Sequence, residues 1–125
     1  MKFIETDQAP KPGGHYSQGV AHAGTLFISG QLAVDPATGA RKLGSIEEQT
    51  EQVLNNMEAI AIAAGASRKQ VLKVTIYLSD IDFWGKVNDV YARFFGTHRP
   101  ARAIIPCKKL HHGFQIELEA VVALN

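Results

Sequence analysis

Phe114-Gln115-Ile116-Glu117-Leu118-Glu119-Ala120-Val121-Val122-Ala123-Leu124 carries two different alternations at once. Phe114, Ile116, Leu118, Ala120, Val122 and Leu124 are all apolar, the period of two that a pleated strand shows when one face lies on a core. The intervening set, Gln115, Glu117, Glu119, Val121 and Ala123, turns from polar to apolar along the strand. A face of that kind is neither wholly solvated nor wholly covered, and it predicts an oligomer interface.

Working back along the chain, Ala101 to Cys107 reads as a short strand, joined to the last one by the basic, His-containing segment Lys108 to Gly113. Val71 to Leu78 (VLKVTIYL) is a strand with Leu72, Val74, Ile76 and Leu78 on one face and Val71, Lys73, Thr75 and Tyr77 on the other. Thr25 to Leu32 (TLFISGQL) alternates in the same way, and Asp35-Pro36-Ala37-Thr38-Gly39 after it has turn chemistry. Two helices lie between the strands. Ser45-Ile46-Glu47-Glu48 is a capping box opening the first, whose apolar stripe runs through Ile46, Val53, Leu54, Met57, Ile60, Ala61 and Ala64 to a Gly65 cap. Glu51, Asn55, Asn56 and Glu58 fall mostly off that stripe. Asp80 or Asp82 caps the second, striped by Phe83, Val87, Val90, Tyr91 and Phe94 with Gly96 beyond its end, although Gly85 inside it costs roughly 1 kcal/mol relative to Ala. Strands interleaved with two helices predict an α+β sandwich, a mixed sheet with both helices on one face.

Nothing divides residues 1–125, so a single domain is expected. The chain has 46% hydrophobic and 20% charged residues, an ordinary globular composition that excludes disorder, collagen-like repeats and coiled coil. Thirteen Lys and Arg against 12 Asp and Glu leave a net charge of +1, without the basic excess of a dedicated nucleic-acid or anionic-membrane binder. The single cysteine, Cys107, rules out an intramolecular disulfide and fits a reducing compartment. Lys2, Glu5, Asp7 and Lys11 break any signal-peptide core, and no apolar run approaches the ~20 residues of a membrane span. A cytoplasmic protein is expected.

Arg102 stands among Ala101, Ala103, Ile104 and Ile105, where its planar guanidinium requires a carboxylate: a ligand's, or that of Glu117 or Glu119. Glu117 and Glu119 share a strand face, either as an exposed pair or with one of them desolvated as a general base. Tyr16 and Ser17 follow Gly13-Gly14-His15, a packed loop or one wall of a pocket. Gly30 between Ser29 and Gln31 marks a bulge or a close approach, which makes Ser29 a site candidate. The histidines, 15, 22, 98, 111 and 112, have no metal-ligand spacing, and no dinucleotide, P-loop or serine-hydrolase motif occurs. Cys107 reads as a small core or interface residue.

Taken in order, Gly14-His15-Tyr16-Ser17-Gln18-Gly19, Ser29-Gly30-Gln31, Asp35-Pro36 with Gly39, Gln49-Thr50 with Asn55, Ala64-Gly65, Val71 to Thr75, Val87-Asn88 with Tyr91 and Phe94-Phe95, Pro100-Ala101-Arg102, and Ile116 to Ala120 resemble the RidA/YjgF family over nearly the whole chain. The resemblance implies a chorismate-mutase-like α+β fold, a homotrimer with clefts between subunits, and cofactor-free hydrolysis of enamines and imines such as 2-aminoacrylate to 2-keto acids and ammonia, as by a 2-iminobutanoate/2-iminopropanoate deaminase. By resemblance Arg102 holds the substrate carboxylate, Glu117 orients or deprotonates the attacking water, Tyr16 walls the cleft, Ser29 donates a hydrogen bond near the substrate and Asn88 lies at or behind the cleft. Glu119 is left structural. Ala103 and Ile104 depart from the family's Ser and small residue after the Arg, so a branched Ile104 facing the cleft would reshape the pocket, and His15 replaces a common Pro. Two other functions remain to be weighed: a non-catalytic trimeric module binding small carboxylates or a protein partner, and RNA cleavage or translation inhibition through Arg99, Arg102, Lys108, Lys109, His111 and His112. Neither nucleic acid nor membrane is the expected partner.

Overall fold

The computed structural model describes residues 1–125 and contains a six-stranded mixed sheet with two helices. In chain order the elements are β1 (Lys2–Ile4), β2 (Gly19–His22), β3 (Thr25–Gln31), α1 (Ile46–Ala63), β4 (Val71–Leu78), α2 (Trp84–Phe95), β5 (Ala101–Pro106) and β6 (Ile116–Ala123). The strands lie side by side as β1-β2-β3-β6-β4-β5, with only the β4–β5 pair parallel. The last strand of the sequence therefore sits at the centre, between β3 and β4. No helix is long and apolar enough to cross a membrane.

Both helices cover one face. Leu26, Ile28, Val74, Ile76, Leu118 and Val122 of the sheet meet Val53, Leu54, Met57 and Ile60 of α1 and Val87 and Tyr91 of α2 in one buried core. Arg68, just after α1, ties the two helices by pairing with Glu58, donating to the Phe94 carbonyl at 2.7 Å and lying over the Phe94 ring at 3.9 Å. The opposite face is uncovered. There Phe3, Val20, Phe27 and Val121 stand in register across four strands, with Phe27 54% exposed.

The structure corrects the sequence reading in five places, one of them the cap of α2: Asp80 accepts from the Asp82 amide and caps the 3-10 turn Ile81–Phe83, whereas α2 follows Phe83 with no side-chain cap. The hairpin of β1 and β2 was not expected, because three and four residues are too few to display an alternation; β2 turns into β3 through Ala23 and Gly24, both at positive φ (49° and 78°), as a two-residue hairpin turn requires. At the start of β4 a register shift between Val71 and Lys73 buries Val71 and leaves Leu72 51% exposed, reversing their predicted faces. Asn56 is buried, as are Gln49, Thr50 and Gln52, so α1 has a polar seam inside the fold. Finally, Ser45 accepts from the Glu48 amide at 3.1 Å, but the return bond of the capping box is not made and the Glu48 carboxylate lies against Gly44.

Candidate functional site

Arg102 begins at the edge of the sheet. β5 is the outermost strand, and its parallel register sets Arg102 beside the fully buried Val74, so the side chain projects toward the helices. Nη1 donates to Asn88 Oδ1 at 3.0 Å, and the guanidinium carbon lies 4.7 Å from the centre of the Tyr91 ring and 5.5 Å from that of Trp84. Asn88 and the two aromatics come from α2, where spacings of four and three residues put Trp84, Asn88 and Tyr91 on one helix face. No carboxylate reaches Arg102; the chain's ion pair is Arg68–Glu58. The alternative of a structural bridge to Glu117 or Glu119 is thereby overturned. The buried Tyr91 hydroxyl has no hydrogen-bond partner, and burial pushes its pKa up to about 12 against the opposing charge of Arg102. Ile104, in register with Ile76, shares the helix-side face with Arg102 and packs on the core.

Glu117 belongs to the other face. In β6 it pairs with Tyr77, away from the helices, and its carboxylate is pressed against Gly30, where a Cβ built on the glycine would meet Oε2 at 2.2 Å. Gly30 lies in the irregularity that interrupts β3 pairing between Ile28 and Gln31, so the bulge opens the space that the carboxylate occupies. Burial, and then the charge of Glu119, hold Glu117 above the usual carboxylate range, with His111 pulling the other way. Glu119 accepts a hydrogen bond from the Tyr77 hydroxyl and so is tied within the sheet. The two carboxylates have different surroundings, as general-base use of one of them requires.

Tyr16 and Gly30 line one cavity of about 770 Å³, which also takes in the turn around Asp35 and the loop at His111 and His112. Tyr16 is half exposed, and its hydroxyl accepts from the Gly13 amide at 3.2 Å. The Ser29 hydroxyl donates to the Ser17 carbonyl at 2.5 Å, tying this loop to β3. Gln18, buried, holds the preceding segment through bonds with Thr6, Ala9 and Pro10. Within one chain, then, the six candidate residues fall into two groups on opposite faces of the sheet: Arg102, Asn88 and Ile104, and Glu117, Ser29 and Tyr16. Tyr91 and Trp84 were not singled out with Arg102, although the helical spacing was a usable signal for them; Gly30 was read as a bulge or a close approach, and the structure shows both, but that Glu117 is the approaching group is a cross-strand fact with no signal along the chain. No group of three His, Cys, Asp or Glu side chains is arranged to hold a metal ion.

A sequence model of the family described as Endoribonuclease L-PSP matches residues 6–124. The chain belongs to this family, the RidA/YjgF family. Among its relatives, a RutC family protein of Pyrococcus horikoshii is 47% identical over 120 residues, covering 96% of this chain and 95% of its own. The 2-iminobutanoate/2-iminopropanoate deaminase of Bos taurus is 42% identical over 120 residues, covering 96% of this chain and 88% of its own. E. coli TdcF, crystallised with bound serine, superimposes with a TM-score of 0.95 at 34% identity over the whole of both chains. A relative of deaminase name thus shares the sequence of this chain, and solved structures share its α+β fold.

Proposed function

We propose that this protein is a cofactor-free cytoplasmic hydrolase of 2-imino acids and their enamine tautomers, acting as a homotrimer whose sites lie between subunits. The observation that carries the reading is Arg102, a guanidinium oriented by Asn88 and Tyr91 with no carboxylate of its own. Such a group is a receptor for a carboxylate, bound through two parallel N–H donors. Glu117 supplies the base. Because Arg102 and Glu117 occupy opposite faces, one chain does not bring them together, and a cleft combining Arg102 of one subunit with Glu117 of the next meets the chemical need. The uncovered stripe of Phe3, Val20, Phe27 and Val121 gives the apolar surface for such an assembly.

With the substrate carboxylate on Arg102, Glu117 takes a proton from a water as the water oxygen bonds to the imine carbon, and passes that proton to the imine nitrogen. The resulting carbinolamine then loses ammonia: the hydroxyl proton passes by way of Glu117 to the nitrogen as the C–N bond breaks and the carbonyl forms. Imine plus water thus becomes 2-keto acid plus ammonia. A carboxylate held above its usual range is a stronger base at neutral pH and returns its proton less readily to bulk water. The test generates 2-aminoacrylate with an amino-acid dehydratase and follows loss of the imine. Wild type accelerates it, and Arg102→Ala lowers kcat/KM by on the order of 100-fold. Imine loss unchanged by the wild-type protein refutes the hydrolase and leaves the carboxylate-binding module; acceleration retained in the variant refutes the role of Arg102.

A further inference from the structure

Glu117 has a neighbouring strand on each side. Toward β3 stands Gly30, against which the carboxylate is pressed; on β4 the register partner of Glu117 is Tyr77. Directly opposed residues of an antiparallel pair hold their Cβ atoms about 5 Å apart, so Tyr77 lies next to the proposed base. Its hydroxyl does not turn to Glu117. It reaches diagonally along β6 and donates to Glu119, the contact open to a long aromatic side chain. Tyr77, Glu117, Glu119 and Gly30 line one cavity of about 440 Å³; Lys108 and Lys109 line it too, but neither forms an ion pair with a carboxylate. The bond to Glu119, and then loss of solvent, hold the Tyr77 hydroxyl above its ordinary pKa, so it keeps its proton at neutral pH. With that proton committed to Glu119, the hydroxyl presents a ligand only with the lone pairs of its oxygen. It has nothing to give the carboxylate of an imino acid or the carbonyl of a keto acid, which are acceptors. The nitrogen is the opposite case: it carries at least one N–H as imine, as carbinolamine and as ammonia, and it is the atom to which Glu117 returns a proton.

We infer that Tyr77 accepts a hydrogen bond from the imine nitrogen and, oriented by Glu119, holds that nitrogen beside Glu117. The inference rests on the imine-hydrolase reading and adds a residue to its site. A substrate whose carboxylate lies on Arg102 of one subunit meets three groups on the open face of the next: Glu117 for the water and the proton, Tyr77 for the nitrogen, and Glu119 as the positioning residue behind Tyr77. Only a ligand with an N–H gains from the Tyr77 oxygen, so the hydroxyl favours the substrate over the keto-acid product, and the product leaves without that bond.

Tyr77→Phe removes the hydroxyl and keeps the ring beside Glu117. D-Amino-acid oxidase acting on D-alanine generates the imine, and semicarbazide trapping follows its loss. In the variant kcat/KM is expected to fall about tenfold, a loss equal to about 1.4 kcal/mol. Calorimetry separates the contact from packing and needs no turnover. L-Alanine, whose amino group stands in for the carbinolamine nitrogen, is expected to bind the variant about tenfold more weakly than wild type, whereas pyruvate, with no N–H, binds both alike and shows that the variant site is intact. An equal loss for the two ligands, or no loss for alanine, overturns the nitrogen contact and leaves the hydrolase standing. Imine loss unchanged by the wild-type protein overturns the hydrolase instead; a loss confined to alanine in the calorimeter then still supports an amino-group contact at Tyr77.

Discussion

Gly30 shows how much of the site depends on a side chain that is missing. A methyl group there would stand 2.2 Å from Glu117 Oε2, a clash with the end of a flexible side chain rather than with backbone. Gly30→Ala is therefore expected to fold, to move the carboxylate, and to lower kcat on the order of 100-fold with a smaller change in KM; imine kinetics and a melting curve on one preparation check both halves. As the proposed base, Glu117 also sets the expected pH response. Since the base must be ionised, kcat/KM falls as pH drops through a Glu117 pKa above the ordinary carboxylate value; Glu119→Gln moves that limb to lower pH and His111→Ala moves it to higher pH. Stability runs the opposite way: a raised folded pKa favours the protonated form, so the contribution is present below the unfolded pKa and lost as pH rises through the folded one. Glu117→Gln should accordingly raise Tm at pH 7 and leave it unchanged near pH 4. Sequence brought both glutamates into view at one spacing, and resemblance chose between them. The physical reason for the choice, Tyr77 on Glu119 and Gly30 under Glu117, comes from neighbouring strands 40 or more positions away and is invisible along the chain.

Among the elements, α1 departs most from a simple amphipathic pattern. Its stripe from Ile46 to Ala61 was legible because the period of 3.6 survives, and the caps at Ser45 and Gly65 were legible because their chemistry is local. The buried polar seam was not, since Asn56 satisfies the Leu32 and Val34 carbonyls at 3.2 and 3.0 Å and takes the Gln52 amide at 2.8 Å, all partners set by tertiary packing or by a second buried residue. Gln49 does the same for Gln115, just before β6, accepting from its amide at 2.9 Å. These bonds anchor the chain leaving β3 and the chain entering β6, the strands that carry Gly30 and Glu117. Asn56→Ala takes its partner from the Val34 carbonyl and from the buried Gln52 amide, while the Leu32 carbonyl keeps the Val34 amide, and is expected to cost about 2 kcal/mol in urea unfolding, with the change in midpoint rather than slope. The β4 register shift and the β1–β2 hairpin escaped the sequence for a related reason: one inserted residue, or a strand of three, leaves too short an alternation to read.

Over the whole molecule, the ambiguous second face of β6 becomes a row from Phe3 through Val20 and Phe27 to Val121 with no cover in the single chain. The same open face carries Glu117, whereas Arg102 emerges at the far edge on the helix side. The proposed shared site requires that a neighbouring subunit cover the apolar face and bring its own Arg102 to Glu117. The most direct measurement mixes two inactive proteins. Arg102→Ala and Glu117→Gln are each expected to be inactive; unfolded together in equal amounts and refolded, they should recover roughly one quarter of wild-type activity, because a random quarter of the interfaces pair an intact Arg102 with an intact Glu117. Activity that stays at the level of the separate variants, with co-assembly verified by mass, would contradict a site shared between subunits.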